Sequence, residues 1–509
     1  MRSFAKRKAG RIVFGIVGVL AFLAFVGWML MRPKIGHASL DQLKSVMPAE
    51  LLVQTRTDAA AEKRMDNLGE LATDFVDPDF TKLVRTNLRP TRTPTLAEEA
   101  TTLALAKLIW TEKQRFFEDL RRTLDEGRLQ FRNGGTDEAA SRHQMDQLNL
   151  ERCLTRIGVK LAAAGDFAGA RQALDLACKY SRLLLNADGN LDEYAIGEAV
   201  TTDSNSGVQQ VAQETDCPPD LCRHWLTALP PTQSGDPCLA TALIRDFQFY
   251  TLRGLSDSDS LVKTAVAMLE HPGYDVDSGE PIHPKDDQLA GTYDPLETAK
   301  LAGAICALNV KNAGLPLSEY DVAGDHMFEA ETKGLPEFKG AELKPGWALT
   351  WEEDKFRFFL NNGHNTVGRW MLSQWAAGLG KSWVSGSCTR RAKIEATRAL
   401  LACNLYRQDH AGQLPASLSD LMPMYLPAVP IDPFNGKPMR YSAAKQAVWS
   451  VGEDLIDNAG DFSSHPPKDI GVSLALTKPH AIPSVPYVRP PAPRGILGGP
   501  PGGPSRDVD

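Results

Sequence analysis

Residues 148–184 read LNLERCLTRIGVKLAAAGDFAGARQALDLACKYSRLL, and this stretch decides the fold class. Leu148, Leu150, Cys153, Leu154, Ile157 and Leu161 recur at the spacing that places them on one helical face. Ala164-Gly165-Asp166-Phe167 then turns the chain, and Ala170, Ala173, Leu174, Ala177, Tyr180 and Leu184 line a second helix running back. Small residues where two helices approach, with Gly-Asp between them, predict an αα-hairpin. The expected fold is therefore mainly α.

Working outward, the same periodicity predicts helices over 191–200, 219–228, 239–255, 260–269 and 295–311, helix-like structure over 347–372, and a long helix over 389–407. On the N-terminal side a helix should begin at Thr95, because Thr95-Leu96-Ala97-Glu98 has the form of a capping box. Before it, residues 32–94 are broken and polar and read as a stalk with short helices. Residues 270–293, rich in Pro, Gly and Asp, read as an exposed loop. The hairpin is similar to a single tetratricopeptide-type unit, but no recurrence at about 34 residues accompanies it, so a repeat array is not expected.

Near the C-terminus the chain changes character. Gly412-Gln413-Leu414-Pro415 stops the long helix, Ser417 caps a short one, and Asp432-Pro433-Phe434-Asn435-Gly436-Lys437-Pro438 is turn-rich. Arg440-Tyr441-Ser442 and Ala447-Val448-Trp449-Ser450-Val451 predict a hairpin, followed by acidic residues from Glu453 to Asp461 and a candidate last strand over 469–474. The expected division is a helical domain over 95–388, an α+β module over 389–478 and a Pro/Gly-rich tail over 479–509.

The order of elements over 392–461 resembles the C-terminal part of type II secretion pseudopilins: long helix, Leu-Pro, Asp-Pro-aromatic-x-Gly-x-Pro, Tyr, then Ser-x-Gly and acids. That resemblance implies a structural Ca²⁺ held by Asp454, Asp457 and Asp461, whose oxygens suit a hard cation; the alternative is that these acids only solvate a turn. The chain departs from the family at its other end. Gly10 is followed by Arg11-Ile12-Val13-Phe14-Gly15, without the Glu on which pseudopilin processing and assembly depend. Over most of its length the chain resembles a group of membrane-anchored bacterial envelope proteins of planctomycete type, through Gly165-Asp166, Asn365-Thr366-Val367-Gly368-Arg369 and residues 432–438. That group has no established activity to transfer.

Residues 12–31, IVFGIVGVLAFLAFVGWMLM, carry no charge, and a helix of that length spans about 30 Å, a bilayer's hydrocarbon core. Arg2, Lys6, Arg7, Lys8 and Arg11 precede it, so the positive-inside rule puts the flank 1–11 in the cytoplasm and the bulk of the chain outside. The expected location is a single-pass protein of the inner (cytoplasmic) membrane. A cleavable signal peptide is the competing reading, since Gly36-His37-Ala38 has the small-x-small form; the apolar run exceeds the usual span of about 7–15 residues. With a net charge of -7 and the basic cluster spent on the flank, the remainder is acidic, which argues against nucleic-acid binding.

Of the eight cysteines, Cys217, Cys222 and Cys238 cluster around a Pro-rich stretch, where a loop-closing disulfide is expected; a zinc site with His224 is the alternative. Cys153, Cys178, Cys306 and Cys403 fall on apolar helical faces as small buried hydrophobes. The chain contains no HExxH, G-x-S-x-G or CxxC. Gly380-Lys381-Ser382 ends like a Walker loop, but Trp375 stands where its first Gly belongs. Ser385, Ser387 and Cys388 lack a His at helical spacing, and His364 and His410 are single imidazoles. No catalytic residue or organic cofactor is expected. The functional expectation is an interaction or scaffold protein of the cell envelope, with a secretion-associated component and an enzyme assembled from distant helices as alternatives.

Overall fold

The computed structural model describes residues 37–52, 58–75, 83, 95–131, 138–214, 217–233, 235–256, 293–323, 365, 368, 372, 379–462 and 467–477. The apolar run 12–31, all of the loop 270–293 but Tyr293, the helix expected over 260–269, most of 347–372 and the tail 479–509 lie outside them. Among the described residues no helix is long and apolar enough to cross a membrane.

The fold is mainly α. The first half contributes α1 (Leu40–Ser45), α2 (Ala59–Phe75), α3 (Leu96–Glu112), α4 (Gln114–Asp125), α5 (Glu138–Ala163), α6 (Phe167–Leu185) and α7 (Leu191–Ala212). Then come α8 (Pro219–Ala228), α9 (Pro237–Asp246), a π turn at Phe247–Thr251, α10 (Leu252–Ser256), α11 (Pro295–Ala313) and α12 (Leu379–Asp409). Strands β1 (Arg440–Ser442), β2 (Ala447–Ser450) and β3 (Ile470–Ser473) form one antiparallel sheet in the order β1-β2-β3.

The expected αα-hairpin is α5–α6. Gly165 takes the turn at φ 81°, a conformation that costs a Cβ-bearing residue, and Asp166 caps α6 by accepting from the Gly169 amide at 2.9 Å. Leu150, Leu154, Ile157 and Leu161 meet Ala170, Ala173, Leu174 and Ala177, all buried. α7 packs on both helices. It comes so close that a Cβ on Gly197 would stand 2.7 Å from the Leu185 Cα.

Several bounds differ from the sequence reading: the helix expected over 191–200 runs to Ala212, and the one expected over 239–255 begins at Pro237 and is interrupted by the π turn. Residues 32–94 are not merely a stalk: in α2, Met65, Leu68, Ala72 and Phe75 recur three and four apart, are buried, and join the main core against α5. Polar residues on the other face of α2 mask that stripe when the segment is read as a whole. The expected break at 388/389 is also absent, because α12 runs unbroken from Leu379. Its Ala396, Ala399, Leu400 and Cys403 pack with Leu154 and Trp225 of the helical body and with Val448 and Val472 of the sheet in a single core. The C-terminal module therefore shares its centre with the helices.

In the module, Asp432 is fully buried and accepts from the Phe434 amide (2.9 Å), Ser450 Oγ (2.7 Å) and the Val451 amide (3.0 Å), tying the Asp-Pro-Phe turn to β2. Phe434 enters a smaller core with Leu239, Val384 and Cys388. Asn365, buried at φ 50°, accepts from the Asp294 amide at 2.8 Å and from Thr298 Oγ1 at 3.0 Å, so its segment docks on the start of α11. Gly368 must be small there: a Cβ would lie 2.0 Å from Thr298 Oγ1.

Candidate functional site: a cleft over a buried ion pair

Asp236 precedes Pro237, and an acid followed by Pro at the first helical position starts a helix well: the carboxylate caps it, and Pro gives up an amide that would have no partner. Accordingly Asp236 Oδ1 accepts from the Cys238 and Leu239 amides at 3.0 and 3.1 Å. Its other oxygen, Oδ2, faces α7 and α12. It accepts from Tyr194 Oη at 2.8 Å, from Ser387 Oγ at 2.6 Å and from the Arg390 guanidinium. The side chains of Arg390 and Asp236 are 6% and 3% exposed, so the pair is almost wholly desolvated. Burial by itself pushes the Asp236 carboxyl up; Arg390, the two hydroxyls and the Leu239 amide outweigh it and hold the group below its usual range.

Glu198 completes this polar node from α7. Burial raises its pKa to about 7, against the opposing pull of Arg390. One α7 turn earlier, Glu193, which closes the capping box with Asn190, is likewise raised to about 7 by burial.

Above the ion pair lies a half-open cleft of about 340 Å³. Its walls include Ser181 and Arg182 of α6, Thr201 and Ser204 of α7, Ile394 of α12 and the loop Pro230-Pro231-Thr232-Gln233. The loop is fixed from beneath: Arg391 donates to the Gln233 carbonyl at 3.2 Å and Glu395 accepts from the Thr232 amide at 2.6 Å. A second cavity of about 170 Å³ adjoins it, sharing Asn186 and Cys238 and reaching Asp188 and Thr241.

The polar groups beneath the cleft are tied to one another: the two Asp236 oxygens together accept from five donors. Ser387 spends its proton on that carboxylate. The walls combine hydroxyls, apolar groups and the Arg182 guanidinium.

The residues singled out from sequence are distributed elsewhere. All eight cysteines are free thiols. Cys217 and Cys222 are brought together, Sγ to Sγ 3.7 Å, both buried; Cys238 is not with them, and its thiol bonds Asn186 Oδ1 at 3.3 Å. The expected trio is thus a pair and a separate thiol, because Asp236-Pro237 turns Cys238 into the first turn of α9. His224 does not join the cysteines either: its Nε2 bonds the Asp175 carboxylate at 2.8 Å and its Nδ1 lies 3.1 Å from Arg171.

In the acidic loop, Asp454 accepts from the Ile456 amide and Asn458 Nδ2, and Asp457 accepts from Trp449 Nε1 at 3.0 Å and from the Ala459 amide. The Asp461 amide donates to Asp469. Asp469, fully buried and not singled out in sequence, organises the loop by accepting also from the Asn458 and Gly460 amides. Among the described residues no group of three or more His, Cys, Asp or Glu is placed to hold a metal ion. His410 stacks on Tyr406 and bonds its carbonyl, and His364 lies outside the described residues.

Sequence reasoning missed Asp236, Tyr194, Ser387 and Arg390 as a unit. The one available signal was Asp-Pro as a helix start, which locates Asp236 but not its partners. The fold and site define a mainly helical protein with a three-stranded sheet built into its core and a cleft floored by an ion pair. No protein-family model matches this chain, and no curated protein and no solved structure matches it either.

Proposed function

We propose that this chain is a membrane-tethered, extracytoplasmic scaffold of the cell envelope, and that its helical body docks a partner in the cleft between α6, α7, α12 and the Pro230–Gln233 loop. The observation that carries the reading is a cleft of about 340 Å³ floored by the Asp236–Arg390 pair, with the Arg182 guanidinium, hydroxyls and apolar groups on its walls. The tether rests on the charge-free run 12–31 behind a basic flank. The test is photo-crosslinking from position 233, at the cleft rim, against position 107 on exposed α3. Adducts with a discrete partner should be clearly stronger from 233 than from 107. Equal labelling from both positions would sink the cleft as the docking site. A tag after Asp509 should be protease-accessible in spheroplasts and a tag before Met1 protected; the reverse pattern would overturn the topology.

A second reading, a secretion-associated component, is supported by the 31-residue α12 packing along a small antiparallel sheet. Its test is co-purification of a tagged copy with secretion or pilus proteins, and recovery without any of them counts against it.

A further inference from the structure

We propose that Cys217 and Cys222 are a reversible redox pair that closes to a disulfide by exchange with a small disulfide oxidant, leaving the other six thiols reduced. The inference does not depend on what the cleft binds. Its basis is placement. The two Sγ atoms are 3.7 Å apart, in contact but unbonded, and a disulfide needs about 2.05 Å, so closure asks for side-chain rotation and a shift of under about 2 Å. Cys217 precedes α8 and Cys222 lies in its first full turn, anchored by its amide to the Pro218 carbonyl at 3.2 Å.

The two sulfurs are not equivalent. Cys217 is the outer one, 8% exposed, and Cys222 is fully buried. The two sulfurs share a hydrogen bond in which either can donate; that bond and burial push the Cys217 thiol up, while Cys217 and Asn404 hold Cys222 below the ordinary thiol value. Exposure orders the reaction. Cys217, the sulfur an oxidant can reach, gives up its proton and attacks the oxidant's disulfide as thiolate, forming a mixed disulfide and releasing one thiolate that takes up that proton. Cys222, as thiolate, then attacks the Cys217 sulfur and expels the second. Two protein thiols are oxidised, one oxidant disulfide is reduced to two thiols, and the two protons pass to the departing thiolates.

The pair sits where its state can be felt. Asn404 of α12 also donates to the Ala212 carbonyl at the end of α7 (2.6 Å), and Thr477, beyond β3, donates to the Gln213 carbonyl at 2.8 Å. A bond between Cys217 and Cys222 would therefore brace the α7–α8 connection where it meets both α12 and the end of the sheet module.

The test equilibrates the full-length, detergent-solubilised protein in glutathione buffers of increasing oxidised fraction, followed by acid quench, denaturation, alkylation and intact-mass counting. Two of the eight thiols should disappear together, peptide mapping should join 217 to 222, and dithiothreitol should restore both. Cys238→Ser should still lose two thiols. Cys222→Ser should stop at a single glutathione adduct on Cys217, and its helical circular dichroism reports whether it has folded. Persistence of all eight thiols in wild type at every ratio, or a bond that includes Cys238, would overturn the proposal.

Discussion

Arg390 and Asp236, 154 residues apart in the chain, meet as a buried ion pair that joins the middle of α12 to the start of α9. The same carboxylate caps α9 and receives Tyr194 from α7. One residue thus fastens three helices beneath the cleft. Removing one member of such a pair strands a desolvated charge, so Arg390→Met or Asp236→Asn should lower unfolding free energy by about 3–5 kcal/mol. Urea denaturation of both single variants and the double variant checks this. The double variant should lose clearly less than the sum; additive losses would show that the two groups do not interact.

Glu193 and Glu198 contribute to the pH response, alongside Glu151, Asp246 and Glu395, whose carboxyls burial also raises. The first two each have a pKa raised by burial from an ordinary 4.5 to about 7 in the folded chain. A raised carboxyl favours the folded state most while protonated. Its contribution is complete below about pH 4.5 and is lost as pH rises towards 7. Each should cost on the order of 1–3 kcal/mol across that window, and Glu198→Gln should flatten the slope. Asp236 works in the opposite direction: its depressed carboxyl stabilises above the ordinary aspartate range and that contribution is lost in acid. Unfolding curves between pH 4 and 8 that rise monotonically would contradict the glutamate assignment.

Two glycines facing α7 contacts should respond oppositely to alanine. At Gly197 the new Cβ would meet the Leu185 backbone at 2.7 and 2.9 Å, so α6 and α7 must part, costing about 1–3 kcal/mol despite better helix propensity. At Gly386 the nearest atom is Glu198 Oε1 at 3.3 Å, the movable end of a side chain. There the propensity gain of up to about 1 kcal/mol should dominate. Thermal melts of the two variants give the signs directly.

Asp432 should be the least replaceable residue of the C-terminal module. Asp432→Ala leaves the Val451 and Phe434 amides and Ser450 Oγ unmatched in a buried site, with a cost of about 3 kcal/mol or more. Asp469→Asn keeps the shape but weakens the acceptor of three loop amides, so amide exchange should quicken over residues 458–461 while β2 stays protected. Uniform exchange changes over the whole module would argue against Asp469 as a local organiser.

Periodicity and caps made much of this architecture legible in advance. The α5–α6 hairpin, the capping box at Thr95, the start of α8 at Pro219 and the β1–β2 hairpin each follow from contacts a few residues apart, and those are written in adjacent side chains. The Asp-Pro-Phe turn was visible as a turn, with Gly436 at positive φ. The stripe of α2 was present in sequence but diluted by its polar face. Nothing local distinguished Arg390 from other arginines of α12, or Ser387 from a helical serine, because their meaning comes from an aspartate 151 or more residues away.

By itself, then, the sequence determined the α5–α6 hairpin and the small residues that let its helices approach, the cap at Thr95 and the helix start at Pro219, and a charge-free run behind a basic flank. Tertiary structure alone decided that α2 and the sheet belong to one core, that Cys217 pairs with Cys222 and leaves Cys238 apart, and that Asp236 is neutralised by Arg390. The physical reason is range. Backbone hydrogen bonding and amphipathic period act within a few residues, whereas desolvation and ion pairing depend on which distant surfaces the packed helices bring within about 4 Å.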